Sequence, residues 1–183
     1  MHSSKKIVFL FLLVVFSIIL FRTAWVGDDS YITMRSVDNF VNGYGLTWNP
    51  GERIQTYTHP LWMMLLVIIF SVTHHAYSSL IFLSMFLSIS TFFFAFGREK
   101  DEFIIFIGFC MLVLSNAFID YSTSGLENPA SHFILVVFGI MYLNSFENMD
   151  KKRLLLLATL IGLSVLNRMD LSLLVLPPLL DRR

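Results

Sequence analysis

The chain carries a single cysteine, Cys110, inside the apolar run Ile107-Gly108-Phe109-Cys110-Met111. An internal disulfide and a multi-thiolate metal site are therefore both excluded. Charge is also scarce: only 14% of the 183 residues are Asp, Glu, Lys or Arg, against about 25% in an ordinary soluble domain. Neither sign is in excess, since 13 basic and 13 acidic residues cancel. A chain without a basic surplus offers no footprint for nucleic acid. Against these shortages stand 56% hydrophobic residues and a mean hydropathy of +0.71. That surplus excludes a disordered chain, argues against a water-soluble globule, and has the composition of a membrane protein.

The few charges are sorted along the chain. They leave apolar runs at 7–21, 61–73, 77–97, 103–119, 130–146, 154–167 and 171–180. A bilayer core about 30 Å thick needs about 20 helical residues, with a lower limit near 17. Runs 77–97, 103–119 and 130–146 meet that limit. Run 7–21 meets it when extended to Val26, with Arg22 snorkelling and Trp25 at the interface. Lys5-Lys6 before an apolar stretch is also the start of a signal peptide, but no small-x-small cleavage site follows, so the expectation is an uncleaved signal-anchor. Run 61–73, with 13 residues, is too short to cross easily. Charge asymmetry decides how it counts. If it does not cross, Lys5, Lys6, Arg98, Lys100, Lys151, Lys152 and Arg153 all face the cytoplasm, leaving Arg22, Arg35, Arg53 and Arg168 outside. The expected fold is thus all-α and polytopic, a single transmembrane module over 1–183 in the cytoplasmic membrane. Its spans fall at about 5–26, 77–97, 103–119, 130–146 and 153–167, with a partial sixth at 171–180. Run 61–73 is expected as a re-entrant or interfacial helix within an outer loop, 27–74, that carries juxtamembrane helices.

This topology gathers three polar segments on the outer face. In the first, Asp28 is placed to cap a helix in which Tyr31, Met34, Val37 and Val41 recur at helical spacing. Asn42-Gly43 stops it, Asn49-Pro50-Gly51 makes a tight turn, and Thr58 or His59 caps a second helix that begins with Pro60. Adjacent carboxylates such as Asp28-Asp29 repel each other and suit a general base or a cation, or else one caps the helix and the other complements its dipole. In the second segment, Glu127 stands at the mouth of a helix expected to have Asn128 as cap and Pro129 as first residue. In the third, the 14 residues Leu154–Asn167 rise about 21 Å, which places Arg168 and Asp170 near the outer headgroups. Ionisable groups at that depth usually face protein and carry function, the alternative being a mutual Arg–Asp pair that simply ends a helix. His74-His75, Asp120 and the aromatics of 92–96 read as interface and packing residues.

These segments carry a resemblance. Asp28-Asp29-Ser-Tyr31-Ile, Gly43-Tyr-Gly45-Leu, Asn49-Pro50-Gly51-Glu52 and Thr58-His59-Pro60-Leu-Trp62 resemble the first outer loop of GT-C-fold glycosyltransferases. The likeness is to the bacterial set that includes the mycobacterial arabinofuranosyltransferases. Ser124-Gly125-Leu-Glu127-Asn-Pro129 is similar to that set's Thr-Gly-Leu-Glu-Thr-Pro, and Asn167-Arg168-Met-Asp170 to its Arg-Pro-Asp or Arg-Pro-Glu. The resemblance implies an inverting enzyme that moves a sugar from a polyprenyl-phosphate donor to a glycan, lipid or protein acceptor of the cell envelope, at the outer face. It implies Asp28 or Asp29 as the base on the acceptor hydroxyl and Glu127 as part of the sugar site. In the related aminoarabinose transferases a Lys-Pro that meets the donor phosphate stands near His59-Pro60. Arg168, beside Asp170, is the candidate for that phosphate here. A divalent cation could bridge Asp29 and phosphate oxygens. Members of the family are several hundred residues long, so the expectation is an N-terminal portion completed by a missing C-terminal half or a partner chain. Two other classes fit parts of the pattern: an ion-coupled transporter subunit relaying through Asp29, Glu127, Arg168 and Asp170, and a non-catalytic membrane assembly protein. The first needs carboxylates near the bilayer midplane, whereas here they lie near interfaces.

Overall fold

The computed structural model describes residues 2–52, 54, 56–145 and 149–180, and within them every regular element is a helix. Eight helices carry the architecture: α1 (His2–Arg22), α2 (Asp28–Val41), α3 (Pro60–Thr73), α4 (Ala76–Phe96), α5 (Glu102–Val113), α6 (Asn116–Tyr121), α7 (Asn128–Asn144) and α8 (Lys151–Asn167). A 3-10 turn at Met169–Leu171 leads into two four-residue helices, α9 (Ser172–Val175) and α10 (Pro177–Leu180). Arg53, Phe146 at the end of the expected span 130–146, and Asp181-Arg182-Arg183 lie outside the described residues.

Two helices, Ser4–Arg22 within α1 and Ala76–Phe96, are long and apolar enough to cross a membrane. The apolar run 103–119 is not one helix. The Ser115 hydroxyl accepts the Phe118 N–H at 3.3 Å, which caps a new helix and divides the run into α5 and α6. Run 171–180 is divided too, where Pro177-Pro178 withholds two backbone donors. The outer helices follow the expected punctuation closely, with two shifts of one residue. Gly27, not Asp28, caps α2. Its extended backbone (φ −75°, ψ 152°) turns its N–H onto the Ser124 carbonyl at 2.9 Å, and Asp28 and Asp29 fall in the first turn, where the dipole favours them. Likewise Glu127, not Asn128, is the cap residue of α7. Asn42 and Gly43 (φ +82°) end α2. Gly51 at φ +92° closes the Asn49 turn through the Glu52 N–H, 3.1 Å from the Asn49 carbonyl.

Three apolar clusters hold the helices together. In the largest, α3 buries Trp62, Met63, Leu66 and Phe70 against Met34 and Val37 of α2, Leu80, Leu83 and Leu87 of α4, and Ala130 of α7. The 61–73 run is thus a packed element with one face in the protein, while Ile68 and Val72 remain exposed on the other. The second cluster joins Leu12, Phe16 and Leu20 of α1 to Phe92, Ile105 and Ile119, with the Phe16 and Phe92 rings stacked at 5.2 Å. The third joins Phe138 of α7, Leu157 of α8 and Val175. Outward faces stay apolar: Ile7, Phe11, Val14, Ile18 and Phe21 of α1 are all exposed, as lipid contact requires and water does not favour.

Folding also sorts charge between the two ends of the bundle. Lys5 and Lys6 share one cavity with Arg98 and Lys100. Arg98 lines a second cavity with Asn144, whose carbonyl accepts from Arg153 Nη1 at 3.4 Å. Asp29, Glu127 and Arg168 gather where α2, α3, α7 and α8 begin or end.

Candidate functional site

The site is built on the loop 122–127, where the chain leaves α6 and enters α7. The carbonyls of Ser122, Ser124 and Gly125, and that of Asp120 in α6 just before it, each accept a hydrogen bond from a neighbouring side chain. Ser88 of α4 donates to the Ser122 carbonyl at 3.0 Å, and Ser30 of α2 to the Ser124 carbonyl at 2.8 Å. The Trp62 indole N–H of α3 donates to the Gly125 carbonyl at 3.0 Å, and Trp25 to the Asp120 carbonyl at 2.9 Å. Gly125 has φ +78°, and a Cβ there would stand 2.7 Å from Ser30 Oγ. The glycine of the Ser-Gly-Leu-Glu motif is therefore required twice over, by its backbone and by its neighbour. Buried carbonyls satisfied in this way lock the loop, and the locked loop aims Glu127.

Glu127 sits between two cations or potential cations. His59 Nδ1 lies 3.5 Å from Glu127 Oε2, and Arg168 Nη1 lies 3.6 Å from Oε1. Both His59 and Glu127 are largely buried, at 13% and 15% side-chain exposure. His59 is held from behind by Thr33 of α2, whose Oγ1 is 2.9 Å from Nε2. Burial lowers the His59 pKa from its ordinary value; the Glu127 carboxylate opposes this and Arg168 adds to it. The ring is consequently neutral near pH 7, and a proton on Nδ1 lets it point a donor at Glu127 while Nε2 accepts from Thr33. Arg168 forms a fork with Asp170, Nε to Oδ1 at 3.0 Å and Nη2 to Oδ2 at 2.7 Å, while Nη1 also donates to Asn128 Oδ1 at 3.2 Å. That fork raises the Arg168 pKa and lowers the Asp170 pKa, each chiefly through the hydrogen bonds between them.

A cavity of about 310 Å³ opens in front of this row, lined by Asp29, Thr33, Thr56, Thr58, His59 and Glu127, with Ile32 and Leu126 as its apolar wall. Of the residues singled out from sequence, Asp29, His59 and Glu127 share this cavity. Asp28 is exposed and does not line it, and Arg168 and Asp170 stand behind Glu127. Three contributors escaped the sequence reading. Thr33 lies one turn beyond Asp29, the i+4 position that shares its face. Thr56 is braced by Ser36 at 2.6 Å. Asn167 donates to the Glu127 carbonyl at 3.0 Å and to Ser131 Oγ at 2.9 Å, and its place immediately before Arg168 was the available signal. No group of three His, Cys, Asp or Glu side chains that could hold a metal ion occurs among the described residues. A cation beside Asp29 would therefore draw most of its ligands from substrate or water.

Chemically, the fold and site define a helical protein with two helices able to cross a membrane and a carboxylate–imidazole–carboxylate–guanidinium row lining and backing a polar cavity. Among known proteins, 51 residues of the chain are 35% identical to the terminal β-(1→2)-arabinofuranosyltransferase of Corynebacterium glutamicum. The stretch is 28% of this chain and 7% of that enzyme, so the likeness supports at most a distant relation to a glycosyltransferase. No family model and no solved structure matches the chain.

Proposed function

We propose that this chain forms the catalytic-face portion of a GT-C-type membrane glycosyltransferase. It transfers a sugar from a polyprenyl-phosphate donor to a hydroxyl of an envelope glycan, lipid or protein. The observation that carries the reading is the convergence of Asp29, His59 and Glu127 on one cavity, from segments matching three motifs of that family. In this reading α1, α4, α5 with α6, α7 and α8 cross the bilayer, and the short C-terminal helices begin a sixth crossing. The end bearing Lys5, Lys6, Arg98 and Lys100 is cytoplasmic, so the cavity opens at the outer face.

The chemistry follows from the groups present. The Asp29 carboxylate takes the proton of the acceptor hydroxyl as its oxygen attacks the anomeric carbon. The carbon–oxygen bond to phosphate breaks, its electron pair stays on the phosphate oxygen, and the configuration inverts because attack comes from the opposite face. Asp29 then returns its proton to water. Glu127, fixed by His59 and by the Asn167 bond to its backbone, accepts hydrogen bonds from sugar hydroxyls. Arg168 supplies positive charge to the leaving phosphate when phosphate oxygens replace the Asp170 carboxylate in its fork. Asp170 is suited to that exchange, since its side chain is 59% exposed.

The test is transfer from a polyprenyl-phosphate-linked sugar by membranes containing the chain. Loss of a general base costs about 10²–10⁴-fold in rate, so Asp29→Asn is expected to fall in that range and Asp28→Asn to stay within a few fold. An Asp29→Asn protein with full activity would overturn the assignment.

A further inference from the structure

The opposite end of the bundle holds a second pair of cavities that the proposed transfer does not use. Both adjoin Gly97-Arg98, where α4 ends. One, about 380 Å³, lies between α4 and α7, with Phe93, Phe94, Val137, Ile140 and Met141 as apolar walls and Arg98 at its rim. The other, about 300 Å³, lies between α1 and the α4–α5 link and is rimmed by four cations, Lys5, Lys6, Arg98 and Lys100, and one acid, Glu99. Volumes of this size match those of small-ligand sites.

The acids in the same link are already committed to backbone. Glu99 Oε1 accepts the N–H groups of Lys100 and Asp101 at 2.6 and 3.0 Å, and those bonds hold its carboxyl below the ordinary range. Asp101 Oδ1 caps α5 through the Phe103 N–H at 2.9 Å. Among the described residues, no salt bridge engages Lys5, Lys6, Arg98 or Lys100. Four cations therefore surround the mouths of two cavities, one of them walled with aliphatic and aromatic carbon. A soluble anion would leave those walls bare, and a neutral lipid would leave the cations unanswered. An anionic phospholipid satisfies both, with its phosphate among Lys5, Lys6, Arg98 and Lys100 and an acyl chain along the α4–α7 groove.

We infer that the Lys5/Lys6/Arg98/Lys100 end of the bundle is a binding site for one anionic phospholipid, held by its headgroup phosphate and by an acyl chain between α4 and α7. The inference rests on the chain lying in a membrane and not on its glycosyltransferase activity.

Native mass spectrometry of the full chain in neutral detergent, titrated with phosphatidylglycerol or phosphatidylcholine, tests it. Phosphatidylglycerol should be retained at least about tenfold more tightly. The Arg98→Gln/Lys100→Gln variant, which removes two charges worth about one power of ten or more together, should lose most of that preference. Ile140→Trp, or the milder Val137→Phe, fills the groove without altering charge and should also release the lipid, with helicity checked by circular dichroism. Arg22→Gln, at the other end, should leave retention unchanged. Equal retention of both lipids overturns the inference. So does unchanged phosphatidylglycerol binding in both groove-filling variants, which would mean diffuse surface attraction. Displacement of the lipid by millimolar inorganic phosphate overturns it as well, because the site would then be one for a free anion.

Discussion

His59 is the residue on which the candidate site turns. Its imidazole hydrogen-bonds Thr33 of α2 on one side and lies 3.5 Å from the Glu127 carboxylate at the start of α7 on the other. Because burial depresses its pKa, the folded state prefers the neutral ring, whereas the unfolded chain takes up a proton near the ordinary value of 6.5. Between those two values the unfolded state binds more protons, so stability rises with pH there and is fully present above about 6.5. Melting temperature in detergent should therefore fall as the buffer is taken from pH 7.5 to pH 5. His59→Gln should remove His59's share of that slope, leaving a shallower dependence. The Arg168–Asp170 fork behaves differently. Its carboxylate titrates below 3.8, so the pair is intact across the same interval, and its contribution is lost only as pH falls further. At Gly125, a methyl group meets both a left-handed φ and Ser30 Oγ at 2.7 Å. Gly125→Ala is expected to cost about 1–3 kcal/mol, measurable as a lowered melting temperature and, through Glu127, as reduced transfer.

Among the elements, α3 is the one whose role depended most on its surroundings. Its 14 residues are almost all apolar and too short to cross a bilayer easily, so the charge balance of the flanking loops had to place it at the membrane surface. In the fold it is the keystone between α2 and α4. Trp62 at its start is fully buried and ties α3 to the 122–127 loop. Trp62→Ala should cost about 3–5 kcal/mol for the lost packing, and Trp62→Phe about 1–3 kcal/mol for leaving the buried Gly125 carbonyl unsatisfied. The contrast between the two, read from denaturation midpoints, separates volume from hydrogen bonding. The starts of α2, α3 and α7 and the end of α2 were legible to within one residue, because Gly, Pro and Asn act on the backbone next to them. The break at Leu114-Ser115 was not legible, since the residues 103–119 are apolar enough to hide a serine that stops one helix and caps another. Thr56, in the loop between α2 and α3, was not legible either, since nothing local distinguishes it from any other polar loop residue.

For the whole molecule, the even total of acids and bases conceals a surplus of basic residues at one end of the bundle, where Glu99 and Asp101 also lie. Lys5, Lys6, Arg98, Lys100 and Arg153 occupy one end, and Asp29, Glu127 and Arg168 the other. If the basic end faces the cytoplasm, as the positive-inside tendency requires, a reporter fused after Lys152 should read cytoplasmic and one inserted at Gly51 should read external. The opposite pair of readings would invert the site and exclude an outer-face transferase. By itself the sequence determined the helical class, the turns of the 27–74 loop and its helix starts to within one residue, and the grouping of Asp29, His59, Glu127 and Arg168 at one end of the helices. Those follow from backbone chemistry and hydropathy, which act over a few residues. The tertiary structure alone decided that Asp29 rather than Asp28 reaches the cavity, that His59 stands between Thr33 and Glu127, and that Arg168 also reaches Glu127. Contacts such as Asn167 with Glu127, 40 positions apart, exist only once packing brings the helix ends together, and no local propensity encodes them.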